Sequence, residues 1–186
     1  MEQTSRRVRS DGATGRKTHN YRLLVVVDES SSSKRAVEYV ARVLASRRGF
    51  QVCLAYFLPQ LPPALLEFGG TEDPDKEWQL DAQLKTEQRQ WIAAARKEAQ
   101  PALNWAWTKL RRAGLPAGSL ATKFSDPFRG QNSVSEEILE LARRNKCRTI
   151  VVGRRSLPWL RKLTAGKDLA ETLVQQGRGL ALWVVE

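Results

Sequence analysis

The feature that most limits what this chain can fold into is a strict alternation of two kinds of segment. Short continuous apolar runs, "YRLLVVVDES", "FQVCLAYFL", "CRTIVVG" and "GLALWVVE", are separated by stretches in which apolar residues recur at helical spacing. A run that is apolar at every position, rather than at every second one, reads as a strand buried on both faces, as in a parallel sheet. A weaker strand is expected near Ser119 to Phe124. The order is then β-α-β-α-β-α-β-α-β, which calls for a doubly wound α/β domain with helices on both faces of a five-stranded parallel sheet. Right-handed crossovers favour one economical winding, with strands 1, 2 and 3 laid outward one way and 4 and 5 the other, giving the order 3-2-1-4-5.

The helices have their own signals. In "SSSKRAVEYVARVLASRRG" the residues Ala36, Val37, Val40, Ala41, Val43 and Leu44 recur at helical spacing, serines offer an N-cap, and Gly49 stops the run. "SVSEEILELARRNK" opens with a capping box from Ser133 to Glu136. "KDLAETLVQQG" predicts a short last helix. Pro59 to Asp81 reads as a surface excursion. From Asp81 to Arg112 the spacing of Leu84, Trp91, Ala95, Leu103, Ala106 and Leu110 predicts one long helix or two in succession, with a kink or break at Pro101, which lacks the N–H that a helix interior needs. Trp91, Trp105 and Trp107 are read as packing residues.

Composition narrows the function classes. Residues 1–20 read as a flexible basic tail and 21–186 as a single domain. The tail has no apolar h-region of a secretory signal, although its Arg, Ser and Thr leave an organellar transit peptide open. No apolar run approaches the roughly 18 residues of a membrane span. Cys53 and Cys147 sit in strand-like runs without a second ligand at metal spacing, so they are expected to be core residues in a cytoplasmic protein. The net charge of +11 favours anionic partners. Nucleic acid is not expected among them, because no recognition motif with interleaved aromatics accompanies the charge.

The winding places the C-terminal ends of strands 1 and 4 side by side, at the topological switch point where such sheets bind ligands. Strand 1 is expected to end at Asp28, an acceptor for a base or ribose, and strand 4 at Gly153, which leaves room for a ligand near backbone. Gly166 precedes the last helix, whose first N–H groups form an anion site. Arg154, Arg155, Arg161, Lys162 and Lys167 make the intervening loop positive. Each residue also has a plain role: Asp28 as a helix cap, Gly153 as a strand end, Gly166 as a turn.

These residues resemble the universal stress protein family, of the UspA-like, adenine nucleotide alpha hydrolase-like fold. The resemblance runs from about Tyr21 to Glu186 and includes "VVVDES", "LPPALLEFGG", "EEILELARRNKCRTIVVG" and "ALWVVE". Nucleotide-binding members carry G-x2-G-x9-G-(S/T) after strand 4. Here Gly153 and Gly166 match the first and third glycines, Ser156 replaces the second, and Lys167 replaces the hydroxyl residue. The resemblance implies a stress-response regulatory protein. It also implies ATP with Mg in binding members, held by counterparts of Asp28, Ala55, Tyr56, Gly153, Arg154, Ser156, Gly166 and Lys167. Other members bind no nucleotide and act as dimeric interaction modules, so both readings stay open. A homodimer through the C-terminal strand is implied in either case. No general base, triad or metal cluster is visible, so any ATP hydrolysis is expected to be slow and incidental.

Overall fold

The computed structural model describes residues 21–66, 73–127, 133–154, 157 and 169–186. Five strands form one sheet: β1 (Tyr21–Val26), β2 (Phe50–Tyr56), β3 (Leu120–Phe124), β4 (Thr149–Gly153) and β5 (Ala181–Val185). Every pairing is parallel and the order is β3-β2-β1-β4-β5, as the alternation predicts. Four helices are described: α1 (Ser31–Leu44), α2 (Pro74–Arg112), α3 (Val134–Arg144) and α4 (Leu169–Gln176).

The continuous apolar strands fill both faces of the sheet. Alternate residues point to opposite sides of a strand. Leu24, Val26, Cys53, Ala55, Ile150 and Val152 therefore join one core with Ile138 and Ala142 of α3 and Leu173 of α4. Their neighbours Leu23, Val25, Val52, Leu54 and Val151 join a second core with α1 and α2. Cys53 and Cys147 are buried free thiols, and burial is the main cause that pushes Cys53 up to about 11.

Local chemistry sets the helix starts. The Ser30 hydroxyl accepts the Ser33 N–H at 3.0 Å, and the Ser133–Glu136 capping box forms in both directions. α2 departs from expectation at its start. It begins at Pro74 rather than Asp81, with Asp73 as its N-cap and the proline in its first turn, where a missing N–H costs nothing. It runs through Pro101 as one helix of 39 residues, one of the two arrangements the spacing left open. Ala99 and Leu103, on either side of Pro101, are fully buried, and Leu103 joins the second core. The helix rises about 58 Å, far more than strands of five to seven residues. Its C-terminal third packs on the sheet, while most of Asp75 to Glu98 is exposed. Trp105 and Trp107 pack partly buried against the second core, and Trp91 is half-buried.

Candidate functional site

Parallel winding brings β1, β2 and β4 to one rim at their C-terminal ends. Asp28 lies there, two residues past β1, and is 3% exposed. Its carboxylate accepts the Ser30 N–H at 2.7 Å, and its own N–H donates to the Ser33 hydroxyl at 3.0 Å. The cap of α1 is thus Ser30, and Asp28 shapes the turn that leads into it. The second carboxylate oxygen accepts the N–H of Leu157, in the segment after β4. One buried carboxylate therefore ties the turn after β1 to the segment after β4.

Leu157 has no counterpart among the sequence-predicted site residues. It is fully buried in the same core as Val26, Ala55 and Phe57. Its φ is 56°, left-handed backbone that a leucine rarely adopts. Burial and the bond to Asp28 offset a strain of roughly 1–2 kcal/mol. The left-handed residue thus lies next to Ser156, where serine replaces the second glycine of the family pattern. Ser156, Gly166 and Lys167 themselves lie outside the described residues.

Gly153 ends β4 as expected, but for a different reason. A Cβ there would lie 2.4 Å from the Ser32 carbonyl oxygen and 2.7 Å from its hydroxyl. The missing side chain is filled by the first turn of α1, so the close approach is made by the chain itself. Arg154 follows, with its main-chain N–H on Val185 at 2.8 Å and its guanidinium paired with Glu186.

Ala55 and Tyr56 end β2 beside this rim. The Ala55 carbonyl accepts the Val27 N–H at 2.8 Å and the Tyr56 carbonyl accepts the Ser125 N–H at 2.9 Å. The Tyr56 hydroxyl donates to Glu29 at 2.7 Å. Burial first, and that bond second, push the phenol well above its ordinary range. The rim has further acids. Glu137 on α3 is raised to about 7 by burial and by the charges of Asp126 and Glu140. Among the described residues no group of three or more His, Cys, Asp or Glu is placed to hold a metal ion.

A sheet of order 3-2-1-4-5 with a buried Asp at its switch point is what the family resemblance implied, and the family comparison decides it. The model of the universal stress protein family matches residues 20–177. The chain belongs to the universal stress protein family. Solved family members share its fold at low identity. A universal stress protein from Burkholderia pseudomallei aligns with 91% of this chain and 97% of its own length, at 18% identity and a TM-score of 0.58. A universal stress protein solved in complex with cAMP aligns with 90% and 98%, at 15% identity and 0.54. One from Archaeoglobus fulgidus aligns with 91% of this chain and 50% of its own, at 15% and 0.53. A search of curated protein sequences gives no significant match. Among the described residues no helix is long and apolar enough to cross a membrane.

Proposed function

We propose that this universal stress protein is a stress-response regulator that holds an adenine nucleotide in the crevice between β1 and β4. The observation that carries the reading is Asp28: a buried carboxylate at the switch point, bonded to both segments that would embrace a ligand. A carboxylate has about four acceptor sites. Two main-chain N–H groups occupy part of that capacity, which leaves room for a ribose hydroxyl or a base amine. Ala55 and Tyr56 would flank the nucleoside. The cationic segment between Gly153 and Lys167 would meet the phosphates, with Ser156 offering a hydroxyl and Lys167 a cation. Magnesium, where present, would be held largely by those phosphates. The cAMP-bound relative makes adenine nucleotides the class to test first.

The test is isothermal titration of the full chain with Mg-ATP, ADP and cAMP. Binding in the micromolar range, lost in Asp28→Asn, is expected. No heat at millimolar nucleotide would sink the proposal.

A second reading is a nucleotide-free dimeric interaction module. The Ser32 backbone that fills the space beside Gly153 favours it, because a structural need for this glycine exists without any ligand. In both readings the protein is proposed to pair through β5, an edge strand without a charged residue.

A further inference from the structure

The opposite end of the sheet has a chemistry that the switch point does not explain. All five strands start there, and each helix, running antiparallel to them, finishes there. The connections are joined to one another by main-chain bonds: Tyr21 N–H to Gly49, Ser46 N–H to Ala113, Arg148 N–H to Arg22, and Ala181 N–H to Arg148, all between 2.8 and 3.2 Å. They form one continuous surface. The segments 42–50, 109–119, 141–149 and 175–181 each contribute between one and four Lys or Arg residues and contain no Asp or Glu. Arginine dominates, and Arg47, Arg48, Arg112, Arg148 and Arg178 are exposed. Among the described residues the salt bridges on this end involve only Lys109 and Arg144. Cations in the last turn of a helix also answer its dipole. That accounts for Arg42 or Arg143, but Arg47, Arg48, Arg148 and Arg178 lie in the connections beyond the helix ends.

Two further features share this end. Tyr21, 60% exposed, stacks on Phe50 with centroids 5.5 Å apart. A cavity of about 230 Å³ opens between the starts of β1, β2 and β3 and the segment after α3, with Arg22, Gln51, Ser119 and Asn145 among its lining residues. It has room for one nucleobase and side chains able to donate and accept hydrogen bonds. Cations that track a phosphate backbone, an aromatic platform and a polar base-sized cleft are the parts of a single-stranded nucleic-acid surface. An anionic membrane would be met by the charge alone and would use neither the platform nor the cleft.

We propose that the end of the sheet remote from the switch point binds single-stranded nucleic acid. The phosphates lie across the arginines of the connections, and a base stacks on Tyr21. The sequence argued against such a partner because no recognition motif with interleaved aromatics accompanies its charge, and its cations are spread along the chain in small groups. Parallel winding gathers those groups on one face.

The test is anisotropy of a labelled single-stranded 20-mer RNA titrated with the full chain at several salt concentrations. Arg47→Glu with Arg148→Glu should weaken binding at least tenfold and flatten the log–log salt slope by roughly 1.4, about 0.7 for each phosphate that is no longer neutralised. Tyr21→Ala should weaken binding about tenfold with the slope unchanged. Lys34→Glu with Lys97→Glu, both exposed and away from this end, is the control and should change little, since the basic N-terminal residues are present in every variant. Circular dichroism confirms the fold of each. Equal losses in the control and the face variant would overturn the proposal. So would tighter binding to phosphatidylserine vesicles than to the oligonucleotide, or full affinity in Tyr21→Ala. None of these outcomes depends on whether the switch point takes a nucleotide.

Discussion

Asp28 and Leu157 meet although 129 residues separate them in sequence: the carboxylate at the end of the first strand accepts the main-chain N–H of the leucine beyond the fourth. The bond converts the topological switch point from a gap between strands into a cross-linked corner. Two main-chain donors, on Ser30 and Leu157, depend on this one buried side chain. Asp28→Ala would leave both without this acceptor, the Leu157 donor in a buried site and the Ser30 donor in a half-buried one. Charged hydrogen bonds of this kind contribute about 1.5–3 kcal/mol each. A destabilisation of roughly 3–5 kcal/mol in urea unfolding is expected from two such bonds, and Asp28→Asn, which keeps one oxygen, should cost about half as much. An Asp28→Ala variant as stable as the parent would show that the bond to Leu157 is not made in solution.

Gly153 provides a second, independent measure of the same corner. An added Cβ would sit 2.4 Å from the Ser32 carbonyl oxygen, which is backbone and cannot rotate away. Gly153→Ala must push α1 outward from β4. Overpacking of this kind costs about 1–3 kcal/mol, or a fall in Tm of several degrees for a domain of this size. Because the clash is internal, the destabilisation should appear without any nucleotide. An unchanged Tm, together with weaker nucleotide binding, would instead place the free space on the ligand's side of the glycine.

Much of this architecture can be read in the chain, because its strongest signals are local. A strand apolar on both faces, a serine before a helix, and the Ser133–Glu136 box each act over a few residues, and each forms as expected. The early start of α2 has a local signal too, in "EDPDKE", an acidic N-cap followed by proline at the first helical position. The apolar spacing does not reach back that far, because the first turns of α2 are exposed and need no buried face. At Pro101, where a kink or break was expected, the helix is continuous. Packing of Leu103 and Ala106 in the second core holds the helix together across a residue that is unfavourable locally. At the candidate site, Asp28 and Gly153 were legible as positions. Their partners, Leu157 and Ser32, were not. Nothing in a linear pattern marks a leucine as left-handed, or says that the space beside a glycine is already filled by another helix.

The raised pKa of Glu137 makes a prediction about pH. Burial and the nearby charge of Asp126 hold its carboxyl protonated up to about 7, against an ordinary value of 4.5. The folded state therefore binds this proton more tightly than the unfolded chain. The resulting stability is fully present below about pH 4.5, declines as the pH rises and is lost above about 7. Glu137→Gln mimics the neutral form at every pH. Its Tm relative to the parent should rise progressively between about pH 5 and pH 8, then level off. A difference that stays flat across that range would mean that Glu137 is solvated and ionised in the folded protein.

The β5 edge provides the last prediction. β3, at the other edge, carries Lys123, a common guard against strand addition. β5 reads ALWVV and has no such guard. Exposed apolar groups flank it on both faces of the sheet: Val184 at 39% and Val174 of α4 at 66% on one, and Tyr39, edge-on to Trp183, on the other. A strand with unpaired N–H and C=O groups between two apolar margins is suited to pairing with its copy about a two-fold axis, which would bury both margins at once. Sedimentation equilibrium at tens of micromolar should show a dimer. Val184→Lys should shift it to monomer while leaving the circular dichroism spectrum unchanged, because the substituted side chain is on the surface of the single subunit. A parent protein that remains monomeric under these conditions would overturn the pairing, and a dimer unaffected by Val184→Lys would move the interface away from β5.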